Sequence, residues 1–97
     1  MRILLVEDDA NQLEPLHAAL SAAGHIVDSA RDGAIAQWIL SKRGYDLLIL
    51  DWLLPQVSGL SLCQHYRRLG KLAPVLSPVH PPPPIYYRLR SRCLWWA

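Results

Sequence analysis

Four carboxylates stand where two apolar runs end. Glu7, Asp8 and Asp9 follow directly on Ile3-Leu4-Leu5-Val6, and Asp51 follows directly on Leu47-Leu48-Ile49-Leu50. Carboxylate oxygens suit a hard cation such as Mg2+, which takes one or two of them together with waters and a substrate phosphate. A carboxylate beside such a cation can also attack phosphorus and carry it as an aspartyl phosphate. Each acid also has a plainer reading. Asp9 fits the N-cap of a helix, with Gln12 three residues on completing a capping box. Glu7 reads equally as a solvated acid at a strand end. Asp51 is hardest to dismiss, because an acid closing a four-residue buried run costs desolvation unless something binds it.

For these acids to meet, their two runs must be neighbouring strands ending at one rim. Short runs this apolar read as central strands of a parallel sheet covered on both faces. The pattern predicts strands over 2–6, 25–29, 46–50 and 73–77. Between them it predicts helices from Asp9 to about Ala23, from Asp32 to about Arg43, and over about 59–69. Leu13, Leu16, Leu20 and Ala23 would share one face of the first helix; Pro15 is awkward there unless it lies in the first turn. Ile35, Trp38 and Ile39 stand at helical spacing in the second, and the third carries Leu60, Cys63 and Leu69 with the basic Arg67-Arg68. Strand–helix alternation argues for a parallel sheet with helical crossovers. Ligands of such sheets bind beyond the carboxyl ends of the strands.

At 97 residues the chain is one small domain at most. A domain this size buries roughly 60–65% of the surface it exposes unfolded, so losing one element matters. No apolar run approaches the ~18 residues of a membrane span. The four apolar residues after Met1-Arg2 are too few for a signal peptide. Cys63 and Cys93 lie far apart without metal-ligand spacing, which makes a reduced, cytoplasmic protein the expectation. Charge divides sharply along the chain. Residues 1–51 hold all eight acids and four basic residues; residues 52–97 hold six basic residues and no acid.

The last segment differs in kind. Residues 78–97 carry five of the eight prolines and no glycine. Pro81-Pro82-Pro83-Pro84 reads as a stiff, extended segment, and Tyr87 to Cys93 alternates like a strand with arginines on one face. A makeshift edge strand over 86–93 is one reading of it. A surface for nucleic acid or an anionic membrane is another, resting on three arginines and a few aromatics.

Leu5-Val6-Glu7-Asp8-Asp9, Asp46-Leu47-Leu48-Ile49-Leu50-Asp51-Trp52-Leu53-Leu54-Pro55, Ser58-Gly59 and Ala73-Pro74-Val75-Leu76 together resemble a two-component response regulator receiver domain, closest to the winged-helix DNA-binding (OmpR/PhoB-like) subfamily. The resemblance covers residues 1 to about 76. It implies an incomplete flavodoxin-like (CheY-like) α/β fold, a doubly wound parallel sheet of four strands and three helices with an irregular Pro/Arg-rich tail. Residues 1–77 would then be a partial receiver domain and 78–97 an atypical tail with no effector domain. The resemblance further implies Asp51 as phosphoryl acceptor and a Mg2+ site made by Glu7, Asp8, Asp51 and the backbone carbonyl of Leu53. Pro55 and Gly59 would set the tight loop into the next helix. The implied role is that of a signalling module rather than an enzyme, taking its phosphoryl group from a sensor histidine kinase. No direct DNA contact is expected from this chain.

Departures from the family pattern begin where the composition changes. Receivers place Ser or Thr at the end of the fourth strand, a position matched here by Val79, and the chain has no threonine. They also place a Lys before a Pro at the end of the fifth strand. Lys42 and Lys71 are the only lysines here, and neither precedes proline. The expectation is a truncated or frame-shifted C-terminal third, with switching impaired. With the fifth strand and helix lost, the fourth strand would be an exposed edge inviting self-association, and the first and third strands would lose cover beside the first helix. The alternative is a degenerate receiver acting as a non-phosphorylated interaction module or a non-functional product.

Other chemistries fit poorly. A haloacid dehalogenase-type hydrolase needs an acid two residues after its nucleophile, where Leu53 stands. A phosphate-binding loop needs glycines after the first strand, where the acids stand. His17, His25, His65 and His80 are scattered without a partner motif.

Overall fold

The structure is a computed structural model describing residues 1–51, 54, 56–71 and 73–77, together with the backbone of 93–95. Its elements run β1 (Arg2–Val6), α1 (Ala10–Ala22), β2 (Ile26–Ala30), α2 (Gly33–Lys42), β3 (Leu47–Leu50), α3 (Gly59–Arg68), β4 (Val75–Ser77) and β5 (Cys93–Trp95). All pairings are parallel and the sheet order is β2-β1-β3-β4-β5. This is the doubly wound, flavodoxin-like order, and it makes the two acid-ended strands neighbours, with Val6 level with Leu50.

Each helix starts at a capping side chain. Asp9 accepts from Asn11 N at 2.9 Å, Asp32 from Ile35 N at 2.8 Å, and Ser58 from Ser61 N at 3.1 Å. The capping box expected of Asp9 and Gln12 is replaced: the Asp9 N–H that would face Gln12 donates instead to Glu7 Oε1 at 3.2 Å. Pro15 lies inside α1, beyond its first turn, on the exposed side, where water can reach the carbonyl it leaves unpaired. Gly24, at φ +94°, ends that helix in the left-handed region open to glycine.

Two apolar layers cover the sheet. On one face Leu4, Val6, Leu48, Leu50 and Val75 pack with Ala36 and Leu40 of α2 and with Leu62, Cys63 and Tyr66 of α3. On the other, Ile3, Leu5 and Ile49 pack with Leu13, and Leu16 and Leu20 close the margin. Helical spacing alone does not mark the inward face of α2. Ile35 and Trp38 are exposed, as is Leu69, while small Ala36 and Gly33 turn inward. The interior spacing of α2 is Gly33, Ala36, Leu40; a helix seated close to its neighbours presents its small residues to them and leaves bulky ones outside. Ala23 is likewise exposed.

Two further expectations are corrected. Beside α1 the β1 and β3 residues keep their cover: Ile3, Leu5 and Ile49 are at most 4% exposed and cluster with Leu13, Leu16 and Leu20 of α1. Val27, Leu47 and Leu76, at the margin, are half-buried. Nor is β4 the edge. The four expected strands and three helices are all present, and beside them a fifth short strand, β5, pairs along β4 from Val75↔Cys93 to Ser77↔Trp95. A parallel return needs a connection of about a dozen residues. Residues 78–92 supply that length and the pairing is at 93–95; the rest of the expected strand, 86–92, lies outside the described residues.

Candidate functional site

The β1 and β3 chains continue past their last paired residues into the acids. Glu7 N donates to Ala30 O at 3.1 Å and Asp51 N to Val6 O at 3.3 Å, so sheet bonding holds both backbones up to the rim. Glu7 and Asp51 are each only 7% exposed, while Asp8 faces solvent. One oxygen from each of Glu7, Asp8 and Asp51 lies within 4.8 Å of the other two. Asp9 is left outside this group as the cap of α1.

Such crowding has an electrostatic cost. Burial raises the Glu7 carboxyl to a pKa of about 7; Asp8 and Asp51 push in the same direction, while the Asp9 N–H pulls partly back. Three oxygens of one charge type converge on a point at the sheet's rim, as the donor set of a hard cation requires. The residues present therefore fit Mg2+. The Leu53 carbonyl and the Pro55 turn lie outside the described residues, as does Val79.

Ser77 bears on the missing fourth-strand hydroxyl. Continuing the register Leu48↔Val75 and Ile49↔Leu76 sets it level with Leu50, one residue below Asp51. It is fully buried, and among the described residues its Oγ has no hydrogen-bond partner. By strand alternation it faces the same side as Val75 and stops about 3.3 Å of rise short of the Asp51 level. Two residues at this rim were invisible to motif reasoning. Arg31 Nη2 donates to the Asp8 carbonyl at 3.1 Å, and Gly33 lies against Val57. Their only sequence signal was position, since residues just after β2 must fall at the same rim.

Comparison with known proteins agrees with this geometry. The response regulator receiver domain family matches residues 3–77. Relatives include Response regulator RppA of Synechocystis, 44% identical over 78 residues, and Two-component response regulator PhoP of Pseudomonas aeruginosa, 38% identical over 76. In both, the match covers 78% of this chain but only about a third of the relative, and in Protein RcaC of Microchaete diplosiphon, at 42% identity, 12%. Among solved structures, the complex of histidine kinase ThkA with response regulator TrrA matches at a TM-score of 0.82 and 28% identity, covering 99% of this chain and 85% of that one. The receiver domain of a Pseudomonas aeruginosa sensor histidine kinase, with magnesium coordinated in its active-site cleft, matches at 0.75 and 29%, covering 80% and 66%. The chain belongs to the response regulator receiver domain family of two-component signalling. Its relatives are OmpR/PhoB-type regulators, among them a probable transcriptional regulatory protein, SilR of Salmonella typhimurium. Among the described residues no helix is long and apolar enough to cross a membrane.

Proposed function

We propose that this domain accepts a phosphoryl group on Asp51 from a phosphohistidine of a sensor histidine kinase, in the cytoplasm, with Mg2+ as cofactor. The observation that carries the reading is the convergence of Glu7, Asp8 and Asp51 oxygens within 4.8 Å at the carboxyl rim of β1 and β3. Glu7, Asp8, Asp51 and the Leu53 backbone carbonyl would hold the ion, which when bound would supply charge neutralisation for the phosphoryl oxygens. An Asp51 carboxylate oxygen forms the new P–O bond as the P–N bond to the kinase histidine breaks, leaving its imidazole to take up a proton. Burial strips water from the Asp51 carboxylate and so favours attack on phosphorus.

Relaying that event is a separate matter. Residues 1–77 form the receiver portion, and residues 78–97 replace what the family uses as its switching third. Val79 offers no hydroxyl, no lysine precedes a proline, and Ser77 lies one level too deep. Phosphorylation of this chain is therefore uncoupled, wholly or largely, from the conformational response of an intact receiver. Incubation with Mg2+ and a small phosphodonor, followed by intact-mass measurement, tests acceptance. One phosphoryl adduct on the wild type and none on Asp51→Asn is the expected result. No adduct on either would leave the non-phosphorylated interaction module as the reading.

A further inference from the structure

The β2–α2 turn, Arg31-Asp32-Gly33, contributes none of the three clustered carboxylates, yet it touches both loops that carry them. Ala30 O, at the end of β2, accepts the Glu7 N–H. The next residue, Arg31, donates through Nη2 to the Asp8 carbonyl at 3.1 Å. Two residues later Gly33 meets the loop that leads from Asp51 to α3. A Cβ at Gly33 would stand 2.7 Å from Val57 Cβ and closer still to the Val57 carbonyl oxygen, separations that carbon side chains essentially never show. The neighbouring Gln56 sits at φ +71°, a left-handed backbone unusual for a residue with a side chain, so the chain at Gln56-Val57 is held in a demanding conformation. Asp32 ties the turn to α2 by accepting from Ile35 N.

We infer that the Arg31–Gly33 turn is a brace that sets the spacing between the Asp8 loop and the Asp51–Ser58 loop, with Arg31 and Gly33 as positioning residues for the metal site. The inference rests on the reading of Glu7, Asp8 and Asp51 as that site. Arg31 is exposed, so its hydrogen bond adds little to global stability and can be removed without unfolding the domain. Its effect on metal affinity has a sign that separates two roles. Removing a cation by itself favours binding of another cation, so a charge-only role for Arg31 would make Arg31→Ala bind Mg2+ more tightly. Releasing the Asp8 loop would make it bind more weakly.

Calorimetric titration of Mg2+ into the full chain, with denaturant melts of the same variants in chelator, tests the brace. Arg31→Ala should weaken Mg2+ binding by roughly tenfold, the lower end for loss of a contact behind a ligand, with an unchanged metal-free midpoint. Arg31→Lys should recover part of the affinity, because its ammonium can still donate to the Asp8 carbonyl. Arg68→Ala, which removes an exposed charge from α3, should leave affinity unchanged or slightly tighter. Gly33→Ala should weaken binding at least as much as Arg31→Ala, at a lower metal-free midpoint. Binding by Arg31→Ala within twofold of wild type, or tighter, overturns the brace while leaving the metal site standing. A wild type that takes up no Mg2+ overturns both.

Discussion

Asp28 and Glu7 are both acids on the same sheet, in adjacent strands, and they live under opposite conditions. Asp28, in β2, is surrounded by donors: Tyr45 Oη gives it a 2.7 Å hydrogen bond, and Arg43 and Arg2 guanidiniums lie at 3.4 and 3.8 Å. The Tyr45 hydroxyl is held protonated in return, burial first and then the Asp28 partner pushing its pKa above the usual range. Glu7, at the end of β1, has the Asp9 N–H as a donor, with Asp8 and Asp51 facing it. One carboxylate completes a network; the other is crowded with its own kind. A chain that folds in spite of such crowding has stored an electrostatic cost which a cation would relieve, and on the proposed reading this separates the rim acids, as functional, from Asp28, as structural.

Metal addition gives the widest separation between the two. At a free concentration about one hundred times its dissociation constant, Mg2+ should raise the unfolding free energy by roughly 2.7 kcal/mol. Asp8→Asn and Asp51→Asn should lose most of that gain and Asp28→Asn none of it, read from urea melts with and without the ion. Next comes Asp28→Ala without metal, which leaves the buried Tyr45 hydroxyl without its partner and should cost roughly 1–3 kcal/mol. Under the same conditions Asp51→Asn should stabilise, on the order of 1 kcal/mol, by relieving like-charge repulsion. A stabilised Asp28 variant or a destabilised Asp51 variant would erase the distinction.

Acidity sharpens it further. Glu7 titrates near 7 in the folded domain against 4.5 in the unfolded chain, so the native state holds the extra proton between those values. Metal-free stability from this group is complete below pH 4.5 and declines as pH rises through about 7; Glu7→Gln should flatten that slope. Mg2+ binding should run the other way, strengthening from pH 6 to 8 as the proton leaves. The smallest effect belongs to the outer side of α2. Trp38, 64% exposed, should tolerate Trp38→Ser within about 0.5 kcal/mol, measurable as an almost unchanged melting midpoint.

The first four strands and the three helices were legible because each apolar run has one period and each helix has a capping side chain. Asp9, Asp32 and Ser58 announce their helices, and the boundaries fall within about two residues of the pattern. Helix orientation was less legible. Ile35 and Trp38 match a hydrophobic face by spacing, but close packing of α2 selects Gly33 and Ala36 for the inside, a choice made by the neighbouring Val57 loop rather than by hydropathy. The acid site was legible in Glu7, Asp8 and Asp51, since residue type and place at a strand end suffice to name them. Arg31 was not, because an arginine after a strand has no motif of its own.

The sequence by itself determined that two apolar strands would end in carboxylates and that family likeness would stop near residue 77, since both depend on residue order alone. Only the tertiary structure decided that β1 and β3 lie side by side, bringing three oxygens within 4.8 Å. It also decided that Cys93–Trp95 lies along β4 and that Ser77 stops below the rim. Those outcomes depend on sheet order and register, which arise from how helices pack across the whole sheet.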